Sequence, residues 1–178
     1  MALLATSLAA LMLLQEGAAD LPMPAEAEQP AAPCSGEEFA AFDFWVGEWT
    51  VAPNGTEAPI AYSRIERVAG GCAIRETWMP FRGGDGVSLT TLDPRTSTWH
   101  QLWIGSNPQR ITFEGGPAGD AMVLSGYWGT DDDDAPQLVR MTYAPREDGT
   151  VRQHGEMSTD HGASWSDSFD LIYSPREE

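Results

Sequence analysis

A carboxylate and two amides stand in this sequence where apolar neighbours could enclose them: Glu76 between Ile74 and Trp78, Gln101 between Trp99 and Trp103, and Gln153 between Val151 and Met157. Strand alternation would put each group on one face. Trp78, Trp99 and Trp103 would then supply apolar surface for a ligand, while Glu76, Gln101 and Gln153 fix its orientation. Burial should raise the pKa of Glu76, because ionising a carboxyl group in an apolar cavity costs desolvation energy. Such a group can act as general acid or base, with Arg152 or His100 as helper, in an isomerase- or lyase-type proton transfer. Equally, it can satisfy the core by pairing with an interior or rim Arg, or by hydrogen-bonding Gln101 and Gln153.

Charge narrows the partners. The chain has 10 basic residues, all Arg, against 27 acidic ones, for a net charge of -17. Nucleic acid is excluded as a partner, since phosphate binding needs clustered cations. Without Lys there is no Schiff-base chemistry and no phosphate-loop Lys. The sequence shows no Ser-His-Asp order, and His100, His154 and His161 are scattered, so no metal or other cofactor is expected. Asp131 to Asp134 reads as a solvated loop, because consecutive carboxylates point in different directions. Ser158-Thr159-Asp160-His161-Gly162-Ala163-Ser164-Trp165 matches the Asp-box pattern known from sialidases and other β-propellers. A single copy cannot build a propeller, so Ser158, Asp160, Gly162, Ser164 and Trp165 are assigned to a structural turn: the Asp caps backbone amides, Gly162 takes a positive φ and the Trp packs over the turn.

The elements that must position these residues read as follows. Residues 1–19 look like a signal peptide, with an apolar run from Leu3 to Leu14 and small residues before Asp20, although no Lys or Arg precedes the run. Residues 20–35 form a Pro/Ala/Glu-rich linker, and residues 36–176 form one domain. Cys34 and Cys72 are expected to form a disulfide that pins the N-terminal segment to the third strand. Ser35 reads as the N-cap of a short helix running through Phe42. Ten strands follow, at 44–52, 59–68, 72–79, 86–92, 98–104, 109–115, 121–128, 137–144, 150–158 and 164–173, separated by turns such as Gly115-Gly116-Pro117. Their short links predict an all-β, up-and-down antiparallel β-barrel. Alternation turns Ile74, Glu76 and Trp78 inward, with Met122, Leu124, Trp128, Val139, Met141, Tyr143, Val151, Gln153, Met157, Phe169, Leu171 and Tyr173. On the fifth strand it leaves both faces open, Trp99, Gln101 and Trp103 against His100, Leu102 and Ile104.

Taken together, the stretch from Phe42 to Trp49 with its Gly47-x-Trp49, Gly70 to Glu76, Trp99 to Trp103, Val151-Arg152-Gln153 and the Asp-box resemble an uncharacterised family of exported bacterial proteins similar to lipocalin and calycin barrels. The resemblance covers residues 42–176. It implies a periplasmic or secreted protein with no stable membrane span after signal cleavage, a monomer or small homo-oligomer. In calycin relatives a barrel His can ligate haem, which makes His100 the one haem candidate. A module that binds a small, mostly hydrophobic molecule is the leading functional expectation. The alternatives are the proton-transfer enzyme on Glu76 and a structural or interaction protein of the cell envelope.

Overall fold

Short, turn-rich links favour pairing of each strand with its chain neighbours, and closing such a sheet on itself removes its two exposed edges. The computed structural model, which describes residues 33–107, 109–130 and 134–176, has this closed form. Its strands are β1 (Gly47–Pro53), β2 (Ala61–Val68), β3 (Ala73–Pro80), β4 (Gly86–Asp93), β5 (Thr98–Gly105), β6 (Gln109–Ala118), β7 (Ala121–Thr130), β8 (Pro136–Pro145), β9 (Val151–Ser158) and β10 (Ser166–Pro175). All pairs are antiparallel and follow chain order, and β1 closes on β10 from Trp49 opposite Pro175 to Pro53 opposite Leu171. No helix among the described residues is long and apolar enough to cross a membrane. The leader, most of the linker and Asp131 to Asp133 lie outside the described residues.

An up-and-down ring has two distinct ends. One gathers the start of β1, the end of β10 and the turns that leave β2, β4, β6 and β8; the preceding segment stoppers it. That segment departs from expectation. Strand β1 begins at Gly47 rather than at residue 44, because Asp43–Trp45 is a 3₁₀ turn. The physical reason is spacing: residues three apart point to opposite faces of a strand but to the same side of a helix with three residues per turn. Phe42 and Trp45 are thereby both turned into the barrel, where each is 0% exposed and their rings stack at 5.0 Å. Phe42 meets Trp99 and Tyr143 edge-on, and Trp45 meets Tyr143 and Tyr173. The helix α1 (Glu37–Ala40) is shorter than expected and is preceded by Gly36 without a side-chain cap, so Ser35 does not serve as its N-cap.

Arg67, on β2, clamps this stopper from outside. Its guanidinium donates to Phe39 O at 2.7 Å, to Gly71 O at 2.6 Å and to the Asp43 carboxylate at 2.6 Å. The Cys34–Cys72 disulfide forms beside it and ties the chain ahead of α1 to the β2–β3 turn. Trp49 Nε1 adds a 2.9 Å bond to Trp45 O.

Two further turn assignments have opposite outcomes. Gly115-Gly116-Pro117 is not a turn; β6 runs on to Ala118 before reversing. A Cβ on Gly115 would lie 2.0 Å from the Val123 carbonyl oxygen, so glycine here serves a close strand approach rather than a reversal. The Asp-box does form the β9–β10 turn. Asp160 accepts from Ser164 Oγ at 2.7 Å, from Ser164 N at 2.8 Å and from Ser158 Oγ at 2.7 Å, and these bonds hold its carboxyl well below the usual range. Gly162 has φ 91°, and Trp165 Nε1 returns to Gly162 O at 3.1 Å beneath the Arg140 guanidinium.

Arginines meet acids across neighbouring strands on the outer face: Arg64 with Glu48, Arg75 with Glu66 and Arg140 with Glu156 sit directly opposite in register, and Arg152 grips Asp170 through two bonds. Each such exposed pair contributes little to stability, but together they keep cationic side chains outside. The covalent tie is the stronger restraint, closing a 38-residue separation. Replacing both Cys34 and Cys72 with Ser should lower the unfolding free energy by about 3 to 4 kcal/mol in the chain-entropy picture, read from urea denaturation; an unchanged midpoint would contradict the role given to this bond.

Candidate functional site

Interior polar groups occupy positions where alternation would otherwise place core side chains. Glu76 on β3 lies between two serines of its neighbouring strands: Ser63 Oγ on β2 donates to Oε1 and Ser88 Oγ on β4 donates to Oε2, each at 3.1 Å. Glu76 is 5% exposed, and the two serines are more deeply buried still. One strand further, Gln101 on β5 donates to the Thr90 hydroxyl opposite it at 3.0 Å. Across the barrel, Gln153 on β9 is held by two phenols: Tyr173 donates to its Oε1 at 2.7 Å, and its Nε2 donates to the Tyr143 oxygen at 3.0 Å. Neither glutamine bonds Glu76, and no Arg reaches it, so its partners are hydroxyls rather than those expected.

Glu76, Gln101, Gln153 and the two phenols form the floor of a cavity of about 300 Å³. It opens at the end opposite the stopper, where Gly84, Asp85, Asn107 and Gln109 of the β3–β4 and β5–β6 connections stand at the rim. Between rim and floor the wall is aromatic and aliphatic: Trp78, Trp103, Phe113, Trp128, Phe169 and Leu171. A smaller hollow, about 270 Å³, shares Gln109, Trp128 and Phe169 with it. Such a volume sits at the small end of ligand-sized clefts, roughly 300–1,000 Å³. Trp103 is fixed by crossing Gly86, where an added Cβ would come within 2.4 Å of its ring. Its Nε1 is buried and unpartnered; among the described residues only Trp45 Nε1 shares that condition.

Five of the six residues expected to meet a ligand, Glu76, Trp78, Gln101, Trp103 and Gln153, line this one cavity. Trp99 does not. It belongs to the stoppered end, edge-on to Phe42 at 6.1 Å. The even choice on β5 resolves with Trp99, Gln101 and Trp103 inward, which puts His100 outside. His100 is 41% exposed at its side chain and lies 3.4 Å from Glu114, its cross-strand partner, so it faces away from any haem held in the barrel and cannot assist Glu76. Arg152 is likewise outside, on Asp170. Sequence reasoning overlooked Ser63, Ser88 and Thr90 as partners of the interior polar groups. Their signal was present: in Ala61-x-Ser63-x-Ile65 and Ser88-x-Thr90-x-Leu92 they take the inward positions of amphipathic strands.

The electrostatics follow from this enclosure. Burial pushes the Glu76 carboxyl from its ordinary 4.5 up to about 7, against the Ser63, Ser88 and Tyr173 hydroxyls, which favour the ionised form. Burial also raises the phenols of Tyr143 and Tyr173, and the nearby Glu76 charge raises them further. Because the folded carboxyl titrates above the unfolded one, the protonated form stabilises the fold. That contribution is whole below pH 4.5 and is lost as the pH climbs to about 7, a change of about 3 kcal/mol. Urea unfolding from pH 4.5 to 8 should therefore show wild-type stability falling relative to Glu76→Gln; parallel curves for the two proteins would remove the buried carboxyl from the account.

Neither a protein-family model nor a curated protein matches this chain.

Proposed function

We propose that this protein is an exported, lipocalin-like barrel, periplasmic or secreted, that holds a small, mostly hydrophobic molecule in its interior. The observation that carries the reading is the one-ended cavity: a stoppered barrel whose other end leads past aromatic walls to a polar floor. A binding site of this kind gains affinity from apolar burial and orientation from a few fixed polar groups. Export is supported by the Cys34–Cys72 bond, since disulfides persist in oxidising compartments, and by the leader-like composition of residues 1–19.

Proton transfer by Glu76 is the second reading, favoured by a floor carboxyl that titrates near neutrality. It has less support, because the proposed helpers, His100 and Arg152, stand on the outer face with partners of their own.

The entrance offers a clean test. Gly105 faces inward at the mouth, and a Cβ there would meet its nearest neighbours at 3.5 Å, an ordinary contact distance. The Cβ of Gly105→Leu is thus accommodated, and its remaining atoms should obstruct entry, with the fold of the variant checked by circular dichroism. Titration with neutral amphiphiles such as 2-phenylethanol and 1-decanol, followed by the fluorescence of Trp78, Trp103 and Trp128, should give a saturable change in the wild type. In Gly105→Leu the affinity should fall at least tenfold. A signal that is absent from the wild type, or undiminished in the variant, would count against an interior binding site.

A further inference from the structure

The charges of the cavity are one-sided. Of the residues that line it, those able to ionise are Glu76 at the floor, Asp85 at the rim and the phenols of Tyr143 and Tyr173; no Arg or His is among them. Five arginines of the barrel wall are engaged outside, Arg64, Arg75, Arg140 and Arg152 with acids of adjacent strands and Arg67 with the stopper, and Arg110 on β6 is exposed on the outer face opposite Ile104. We infer that the bound molecule is a hydrophobic amine, its ammonium group meeting Glu76 at the floor and its apolar body lying against Trp78, Trp103, Phe113, Trp128 and Phe169; this rests on the binding reading above.

Three arguments converge on that class. An anionic ligand would bring a second negative charge beside Glu76 with no cation in the cavity to offset either. A neutral ligand would seal Glu76 from water without compensating its charge, whereas an ammonium supplies both the opposite charge and hydrogen-bond donors. The carboxylate has room for one, since Ser63 and Ser88 each take one of its roughly four acceptor positions and the Tyr173 phenol competes for a third. The aromatic wall adds a further preference, because ring faces attract cations, and the more so when water is excluded.

The test compares three probes of similar size by calorimetry on the intact protein: 2-phenylethylamine, 2-phenylethanol and 3-phenylpropanoate. At pH 8.5 the amine should bind at least tenfold more tightly than the alcohol, and the carboxylate should not bind. At pH 5.5 the amine-to-alcohol ratio should approach one, because Glu76 is then protonated while the amine keeps its charge. The groups that face Glu76 leave this reading clean: the Tyr143 and Tyr173 phenols are raised above their ordinary range and stay neutral, and Ser63, Ser88, Gln101 and Gln153 do not titrate. Glu76→Gln, checked for folding by circular dichroism, should bring the ratio at pH 8.5 down to about one. The wild-type pH profile answers the same question if that variant does not fold. Should the alcohol or the carboxylate bind as well as the amine at pH 8.5, the amine assignment falls while the binding cavity stands. If none of the three binds, both fall.

Discussion

Holding a carboxyl group out of water with no cation to meet it is the most demanding constraint in this fold, and the interior is arranged around that group. Glu76 is supported by neutral hydroxyls alone, one serine per oxygen with the Tyr173 phenol beside them. An Arg in its place would give a closed ion pair and a finished core. Hydroxyls leave the carboxyl balanced between its charged and neutral forms at the bottom of an open cavity. Glu76 is in this sense incomplete, and an incomplete buried acid is the feature that marks this floor as a candidate site rather than ordinary packing.

The two ends of the barrel divide the work. A ring of ten strands encloses more space than its own inward side chains fill, and the surplus at one end is taken up by Phe42, Trp45 and the aromatic residues around them. That end is over-determined by a disulfide, three Arg67 bonds and the Trp49 bond to the stopper's backbone. At the other end no segment among the described residues enters, and glycines at 84, 86 and 105 keep the mouth and its wall thin. Rigidity at the stopper matters to the site because Tyr143 and Tyr173, which position Gln153, also pack on Trp45.

Much of this was legible in the residues, and the parts that were not have identifiable causes. Alternation on β3 placed Glu76 with Ile74 and Trp78 because the opposite face carries Arg75 and Thr77, with Met79 its one apolar member. On β5 the contrast fails: Leu102 and Ile104 are apolar yet point outward, and Ile104 is exposed. No period-two argument could choose between them, so His100 stayed a candidate until its face was known. Phe42 and Trp45 misled for a related reason. Aromatic residues favour strands, but their spacing of three suits a 3₁₀ turn, and burial of both rings overrode the propensity. Gly115-Gly116-Pro117 carried turn chemistry in composition only; close approach of β6 and β7 uses the same residues. Ser63, Ser88 and Thr90 could have been found by asking which inward positions hold small polar side chains. Their partners sit on the neighbouring strand, 11 to 13 residues away, but which residues stand opposite one another depends on a hairpin register that the face pattern alone does not fix.

The account stands on the enclosure of one side chain, and that side chain can be observed directly. Carbon-13 NMR of labelled carboxyl groups, with the Glu76 resonance assigned by its loss in Glu76→Gln, measures the titration of this residue in the folded protein. The account predicts a midpoint near 7. A midpoint at the ordinary 4.5 would show a solvated carboxylate and contradict it.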